Sequence, residues 1–292
     1  MKLIDGKKTS QIIKKEIAIE VAKLIDDKDI SPHLVAILVG DDPASQTYVR
    51  NKEKSCAEVG IVSSIYNYPA DVTEKELLEA ISFINADNEI DGLIVQLPLP
   101  DHISEKKIIE SIDPKKDVDG FHPLNVGKMA LGLPTFLPAT PFGILQLLER
   151  YKIETEGKNC VVLGRSHIVG SPISILLSRK ASPGNCTVTV CHSRTKGLKE
   201  IAREADILIV AMGQAQMVTA DMVKEGAVVI DVGIHRVVSS KTKSGFKLVG
   251  DVDFEDVSKK AAFITPVPGG VGPMTIVSLL KNTLISTQNR II

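Results

Sequence analysis

Residues 34–59 read LVAILVGDDPASQTYVRNKEKSCAEV and encode a strand followed by a helix. The apolar run over residues 34–39 predicts a buried strand, which ends in a Gly-Asp-Asp-Pro turn. Asp42 can cap a helix whose first position is Pro43, where the missing N–H costs nothing. The stretch therefore predicts a strand that leads through a tight turn into a helix over residues 43–59.

The same alternation of strand and helix continues along the chain. Hydrophobicity in the strands is continuous rather than alternating, which is typical of parallel strands covered by helices on both faces. At ~150 residues per domain, 292 residues suggest two domains. We therefore predict a two-domain α/β fold. The predicted strands are residues 34–39, 61–68, 92–97, 159–164, 187–192, 207–212, 228–232 and 262–265, and the predicted helices of the first half are residues 10–24, 43–59 and 74–86.

Three segments depart from this alternation. Residues 98–141 are rich in proline, show little periodicity and are predicted to form a long functional loop. Residues 234–253, which include Ser239-Ser240-Lys241, are predicted to be a loop or hairpin. A helix over residues 142–151 should lead into the second domain, and a final helix over residues 275–287 should pack back on the first. The predicted domains are residues 1–140, completed by 275–292, and residues 141–274.

Composition excludes several classes of function. The 35 basic and 36 acidic residues give a net charge of −1, so no overall positive field attracts nucleic acid. The longest apolar runs fall short of the ~20 residues that span a bilayer, and the start of the sequence lacks a leader pattern, so we expect a cytoplasmic protein. The four cysteines show no CxxC spacing and are expected to be reduced core thiols, with no metal site.

Polar side chains of the first half can form a reactive cluster. Ser45, Tyr48 and Lys52 share one helix face because residues three and four apart are neighbours. Gln96 is an amide inside an apolar strand and needs a polar partner or a ligand. Asp119, in a loop, could bind a cationic or amidine-like group. The alternatives are an exposed lysine beside a half-buried tyrosine, a glutamine satisfied within the core, and an aspartate that only forms a turn.

A nucleotide site is predicted where the second half begins. Gly164, Ser166 and Gly170 lie in a turn between a strand and a helix, an altered form of the GxGxxG pattern that receives a pyrophosphate. The alternative is an ordinary tight turn in a parallel sheet.

The next strand indicates which dinucleotide this site would bind. It ends in His192-Ser193-Arg194 with no acid for a ribose 2′-hydroxyl, whereas Arg194 and Arg165 could bind a 2′-phosphate. NADP is therefore the predicted cofactor, although His192 could equally be a solvated histidine at the strand end.

The segment TPVPGGVGPMT over residues 265–275 follows the last predicted strand. Its glycines and prolines fix a turn at which backbone can approach a planar ligand closely. A rigid linker is the alternative.

Taken together, these motifs resemble the methylenetetrahydrofolate dehydrogenase/methenyltetrahydrofolate cyclohydrolase family, the bifunctional FolD-type enzymes. The similarity extends over residues 5–275, although Ala139 stands where many members carry cysteine. The motifs are DPASQTYVRNKEK at residues 42–54, VQLPLP at 95–100, KDVDGFHP at 116–123, GRSHIVGSP at 164–172 and PGGVGPMT at 268–275.

The resemblance implies a reaction sequence and a site. NADP-dependent oxidation of 5,10-methylenetetrahydrofolate would be followed by hydrolysis of the methenyl product to 10-formyltetrahydrofolate, in one-carbon metabolism and purine biosynthesis. It also implies a homodimer and a folate cleft between a catalytic domain and a Rossmann-like domain. A monofunctional dehydrogenase and a non-catalytic folate- or NADP-binding protein are the alternatives. The resemblance assigns Tyr48, Lys52 and Gln96 to catalysis, Tyr48, Asp119, Pro268, Gly269 and Thr275 to folate, and Arg165, Ser166, Ser193, Ile234 and Thr275 to NADP. The residue patterns described above add Ser45 to the predicted folate site and Gly164, Gly170, His192 and Arg194 to the predicted NADP site.

Overall fold

A computed structural model describes residues 1–240, Thr242 and residues 245–291, with the side chains of Ala44 and Ile291 left aside. The chain forms two compact units. The first unit comprises residues 11–139 and the residues from Ile276 onward, and the second comprises Met1–Ser10 and Thr140–Thr275. In chain order the elements are β1 (Lys2–Leu3), α1 (Gly6–Lys28), β2 (His33–Val39), α2 (Pro43–Val59), β3 (Val62–Tyr68), α3 (Glu74–Ala86), β4 (Gly92–Val95), α4 (Glu105–Ser111), α5 (Pro123–Ala130), α6 (Ala139–Arg150), β5 (Asn159–Leu163), α7 (Gly170–Ser178), β6 (Thr187–Cys191), α8 (Leu198–Arg203), β7 (Ile207–Val210), β8 (Val228–Asp231), β9 (His235–Val238), β10 (Phe246–Val249), α9 (Phe254–Val257), β11 (Phe263–Ile264) and α10 (Val271–Ile291).

The first unit is built on a parallel sheet of three strands in the order β3-β2-β4. All four residues of β4 and six of the seven in β2 are buried, which explains their continuous hydrophobicity. Apolar residues of α3, such as Leu77 and Ile81, pack in one core cluster with Ile37 and Leu93 of the sheet. The carboxyl ends of β2 and β4 therefore lie side by side at one edge of this sheet.

The second unit contains a parallel sheet of six strands in the order β1-β11-β8-β7-β5-β6. Strands β5 and β7 are neighbours although β6 separates them along the chain, so the strand order reverses between them. Ligands of open α/β sheets bind outside the carboxyl ends of the strands at such a point. We therefore call the carboxyl ends of β5, β6, β7 and β8 the predicted nucleotide-binding edge.

The predicted α/β class with parallel strands is confirmed, and α2 and α3 occupy the predicted residues. The segment predicted as a loop or hairpin forms a hairpin of β9 and β10, although Lys241 lies outside the described residues. All four cysteines are buried and free of disulfides, as expected. Within the described part of the chain, no helix is long and apolar enough to cross a membrane.

The predicted long loop over residues 98–141 is wrong. It contains the short helices α4 and α5, and α6 begins at Ala139. Ser104 caps α4, His122 caps α5, and Pro123 occupies the first turn of α5. Proline is tolerated at the start of a helix, so its density here marks helix starts as well as turns. Similarly, α10 begins at Val271, four residues before the predicted start.

The first ten residues also differ from expectation, because they belong to the second unit rather than the first. Lys2 and Leu3 form β1, which pairs in parallel with Phe263 and Ile264 of β11. The N–H of Asp5 donates to the Tyr151 hydroxyl at 2.7 Å. A strand of two residues carries no periodicity, and its partner lies far away along the chain, so this pairing could not be predicted from the sequence.

Candidate active site and cofactor site

Helix α2 begins as its sequence predicts and orients the reactive residues. The Asp42 carboxylate accepts a hydrogen bond from the N–H of Ser45 at 2.7 Å, and Pro43 lies in the first turn. Along the same face, Ser45 and Lys52 are buried and Tyr48 is partly buried. Capping fixes where the helix begins and therefore which side chains its inner face presents.

Lys52 is the centre of a polar cluster in the first unit. Its side chain is 5% exposed, its Nζ donates to Gln96 Oε1 at 3.3 Å, and the same atom lies 4.7 Å from the centroid of the Tyr48 ring. Gln96 in turn donates through Nε2 to the carbonyl of Leu97 at 2.7 Å. The predicted trio of Tyr48, Lys52 and Gln96 is thus brought together. Gln96 lies one residue beyond the end of β4 and is half-buried, not inside the strand as predicted, but it has the polar partner that was expected of it.

The charge state of Lys52 is perturbed by its surroundings. Burial lowers the pKa of Lys52, while the negative charge of Asp119 opposes that effect. Burial likewise raises the pKa of Asp119, opposed by Lys52. Burial also raises the pKa of the neighbouring Cys56 thiol to about 12, so this thiol stays protonated. A buried lysine with a lowered pKa can exchange a proton near neutral pH, which an ordinary lysine does poorly.

A second aspartate, Asp117, holds the loop that carries Asp119. The Asp117 carboxylate is 1% exposed and accepts from the N–H of Phe121 at 3.1 Å, the N–H of His122 at 2.8 Å and Asn125 Nδ2 at 2.8 Å. Burial raises the pKa of Asp117 to about 6. This role of Asp117 was not predicted from the sequence.

The C-terminal helix α10 also anchors the loop that carries Asp119. Asn282 of α10 donates through Nδ2 to the carbonyls of Val118 and Leu137, at 2.8 and 2.9 Å. Lys116 donates to carbonyls at the end of α3, those of Ile84 and Asn85 at 2.8 and 2.9 Å. Asp119 therefore lies in a loop that is anchored at several points.

The turn after β5 has the close packing expected of a nucleotide site. Gly164 has φ +123°, and a Cβ there would lie 2.1 Å from the Ala211 carbonyl oxygen. A Cβ on Gly170 would lie 2.2 Å from the Gly164 carbonyl oxygen. Both glycines are therefore required for the strand, the turn and α7 to meet. The Ser166 hydroxyl accepts from the N–H of Val169 at 3.1 Å, which leaves its own proton available to a ligand.

The predicted phosphate-binding residues lie at one edge of the six-stranded sheet. Arg165 and Ser166 follow β5, Ser193 and Arg194 follow the adjacent parallel strand β6, and all four are exposed. His192 is held in the turn after β6, because its Nδ1 accepts from the N–H of Arg194 at 3.1 Å. Ile234 follows β8 at the same edge with 62% of its surface exposed.

The remaining predicted residues follow β11. Gly269 has φ +103°, and its carbonyl accepts from the N–H of Lys7 at 2.9 Å. The Thr275 hydroxyl lies 2.9 Å from the Thr140 hydroxyl. Pro268, Gly269 and Thr275 belong to the second unit, together with the predicted cofactor residues and apart from the unit that contains Lys52.

Comparisons with known proteins identify the family. Residues 4–119 match the family description "Tetrahydrofolate dehydrogenase/cyclohydrolase, catalytic domain", and residues 138–291 match "Tetrahydrofolate dehydrogenase/cyclohydrolase, NAD(P)-binding domain". The chain belongs to the tetrahydrofolate dehydrogenase/cyclohydrolase family. The expected bifunctional one-carbon folate activity and the NADP cofactor are confirmed by this membership and by the relatives.

Relatives of this family match the whole chain. "Bifunctional protein FolD" of Bacteroides fragilis is 61% identical over 291 residues, which cover 100% of this chain and 99% of the relative. The crystal structure of the FolD methylenetetrahydrofolate dehydrogenase/cyclohydrolase of Campylobacter jejuni is 52% identical, with a TM-score of 0.93 and 99% of each chain covered. The Trypanosoma brucei enzyme, solved with NADP cofactor and inhibitor, is 39% identical, with a TM-score of 0.93 and coverage of 99% and 98%.

Proposed function

We propose that Lys52 is the residue that activates water in the hydrolytic reaction and that Gln96 positions it. The observation that carries this proposal is the burial of the Lys52 amine against the Gln96 amide and the Tyr48 ring. Tyr48 packs against the folate, with Ser45 one turn before it on the helix. Asp119, when ionised, accepts hydrogen bonds from the amidine edge of the pterin.

The oxidation of 5,10-methylenetetrahydrofolate needs little acid–base chemistry from the protein. The lone pair of a folate nitrogen drives loss of the hydride, and NADP⁺, when bound, accepts it. The protein has to align the two reactants, which can contribute ~7–11 kcal/mol to lowering the barrier. A cofactor surface of glycine, serine, isoleucine and threonine is suited to alignment of this kind.

The hydrolytic reaction, in contrast, requires proton transfers. Water adds to the methenyl carbon, loses a proton, and the ring opens to 10-formyltetrahydrofolate. Burial lowers the pKa of Lys52, and a cationic methenyl ring beside it would lower that pKa further. Lys52 can then take a proton from the attacking water and return it to the departing ring nitrogen, a step that typically contributes 10²–10⁴-fold.

We also propose how the second unit binds NADP. The backbone between Gly164 and Gly170 receives the pyrophosphate at the start of α7, with Ser166 as a hydroxyl donor. Arg165, Ser193 and Arg194 bind the 2′-phosphate at the adjacent strand ends. Support comes from the cradle that a Cβ on either glycine would fill. His192 shapes the turn, while Ile234 and Thr275 contact the cofactor.

The domain roles follow from the same assignments. We infer that residues 11–139, with the C-terminal segment from Ile276, form the folate-binding catalytic domain. Residues 140–275, with the first ten residues, form the NADP-binding domain. We further propose that the enzyme works in the cytoplasm, without nucleic-acid or membrane partners, and supplies one-carbon units to purine biosynthesis.

We propose a homodimer formed through strand β3. Within the described part of the chain, β3 pairs on one side only, with β2. Seven residues long, it exposes Val62 by 47% and Tyr66 by 37%. An exposed edge with apolar side chains is a template for pairing with a second copy. Tyr66→Lys should shift the molar mass measured by light scattering toward the monomer, while Phe83→Lys, at an exposed position on α3, should not.

A turnover assay tests the catalytic proposal. Protein, methylenetetrahydrofolate and NADP⁺ or NAD⁺ are mixed, and the reduced cofactor and the methenyl intermediate are followed together. Lys52→Met should retain hydride transfer and accumulate methenyl-folate, because its hydrolysis falls by ~10²–10⁴-fold. Lys54→Met, at an exposed position of the same helix, is the matched control. Full hydrolysis by Lys52→Met would overturn the assignment.

A further inference from the structure

Two buried carboxylates lie at the nucleotide-binding edge of the second unit. Asp231 ends β8 with 3% of its surface exposed, and Asp251 follows β10 with 0% exposed. The Asp231 carboxylate accepts three backbone hydrogen bonds at 3.0 Å, from the N–H groups of Gly233, Asp251 and Val252. Asp231 thus ties the end of β8 to the chain that leaves the β9–β10 hairpin.

Asp251 organises the loop after β7 in the same way. Its carboxylate accepts from three consecutive N–H groups, those of Met212 at 2.6 Å, Gly213 at 3.0 Å and Gln214 at 2.9 Å. His235 Nε2 lies 2.6 Å from the same carboxylate and donates to it, because a carboxylate only accepts. Consecutive N–H groups of this kind form a nest for an anion, and here the anion is the protein's own.

Two glycines allow the carboxylates to approach the backbone this closely. A Cβ on Gly250 would lie 1.8 Å from Asp231 Oδ2, and a Cβ on Gly233 would lie 2.4 Å from Asp251 Oδ1. The two acids and the two glycines therefore form a single Asp-Gly cluster, and a larger residue at either glycine would displace a carboxylate. In the sequence, the Asp-Gly cluster corresponds to DVG over residues 231–233 and GD over residues 250–251.

The Asp-Gly cluster fixes the two segments that lie at the nucleotide-binding edge. Ile234 lies between Gly233, whose N–H is bonded to Asp231, and His235, whose ring is bonded to Asp251. Its large apolar side chain is nevertheless 62% exposed. The loop after β7 begins at Ala211, whose carbonyl oxygen occupies the space beside Gly164. One pair of acids thus connects the Ile234 turn to the phosphate-binding turn.

Stability alone does not account for this arrangement. Burial, together with the nearby charge of Asp251, raises the pKa of Asp231 to about 6, so keeping Asp231 ionised in the interior is unfavourable. A hydrophobic or hydroxyl-containing strand end would avoid that cost. What the pair supplies is a fixed backbone geometry around an exposed isoleucine.

We propose that Asp231 and Asp251, with His235, are positioning residues for the dinucleotide. They hold Ile234 and residues 211–214 in the geometry that receives the nicotinamide half of NADP, and they do not touch it themselves. The inference rests on the proposed contact between Ile234 and the cofactor. It predicts that loss of either carboxylate weakens cofactor use and leaves hydrolysis intact, because hydrolysis needs no dinucleotide.

The decisive variant is Asp251→Asn, whose amide cannot accept all the hydrogen bonds that the carboxylate accepts. The KM for NADP⁺ in the dehydrogenase assay should rise at least tenfold. The rate of methenyl-folate hydrolysis without cofactor should stay within twofold. Asp253→Asn is the matched control, because Asp253 caps the short helix α9 two residues further on and should change neither quantity. An unchanged KM for NADP⁺, or an equal loss of both activities, overturns the proposal.

Two further variants keep the test decisive. If Asp251→Asn does not fold, His235→Leu provides the test, because it removes only one donor to the Asp251 carboxylate and 24% of the His235 side chain is exposed. His235→Leu should raise the KM for NADP⁺, and His235→Gln should restore it. Ile234→Ala tests the underlying contact. If that variant leaves the KM unchanged, the cofactor role of Ile234 fails. If it raises the KM while the Asp251 and His235 variants do not, the positioning proposal alone fails.

Discussion

Replacement of Gln96 by glutamate gives a direct test of how Lys52 is tuned. In the wild-type protein Lys52 Nζ lies 3.3 Å from a neutral amide oxygen, which accepts a hydrogen bond but carries no full charge. A carboxylate of the same shape would place a negative charge there. At that distance, and with an effective dielectric constant of ~20, the attraction is about 5 kcal/mol, or ~4 pH units in the pKa of Lys52.

Part of that attraction will be offset. The glutamate has to be desolvated, and it loses the hydrogen bond that Gln96 Nε2 donates to the Leu97 carbonyl at 2.7 Å. We therefore expect the pKa of Lys52 to rise by roughly two pH units, which reduces the fraction of neutral amine by ~100-fold at a fixed pH below the wild-type pKa. Hydrolysis of methenyl-folate should fall by about the same factor and recover as the pH is raised.

The assay measures kcat for methenyl-folate hydrolysis as a function of pH, in the absence of dinucleotide. The rate of hydride transfer is measured in parallel. Gln96→Met is the control, because it removes both hydrogen bonds without adding a charge. It should lower kcat without moving the pH profile upward. If Gln96→Glu hydrolyses methenyl-folate with the wild-type profile, Lys52 does not act as the base and our account of its environment is wrong.

Three other variants probe the remaining features. Asp119→Asn should raise the KM for folate by ~10–100-fold, since a charge-assisted hydrogen bond contributes ~1.5–3 kcal/mol. Asp101→Asn, at an exposed position, should leave this KM unchanged. An equal change of KM in the two variants would exclude the contact between Asp119 and the pterin. Arg194→Gln should lower the preference for NADP⁺ over NAD⁺ by ~10-fold or more. Arg203→Gln, at another exposed position, is the control and should leave the preference unchanged. The preference is measured from the rates of reduction when the two cofactors compete. Burial raises the pKa of Asp117 from an ordinary value of 3.8 to about 6, so its protonation favours the folded state, and this contribution is lost as the pH rises from about 4 through 6. Acidification from pH 7 to 4 should therefore stabilise the wild type relative to Asp117→Asn by about 2 kcal/mol in urea titrations, and a constant difference would contradict this.

The local structure around α2 could be predicted from the sequence alone. Asp42 and Pro43 set the start of α2, and the spacing of Tyr48 and Lys52 placed both on one face. Helix capping and helical periodicity depend only on residues that are close together in the sequence. All the residues involved lie within this one strand-to-helix segment. The motif order across the chain then indicated the family, and with it the cofactor and the reactions.

Which distant groups meet, in contrast, could be read only from the three-dimensional fold. An amide in an apolar stretch was expected to have a polar partner, but that the partner of Gln96 is Lys52 follows from the adjacent carboxyl ends of β4 and of β2, which leads into α2. The pairing of β1 with β11 placed the first ten residues in the second unit. The role of Asp251 depends on a loop some forty residues earlier in the chain. Hydrogen bonds between distant segments leave no periodic trace in the sequence, because each partner is satisfied only once the strands are aligned.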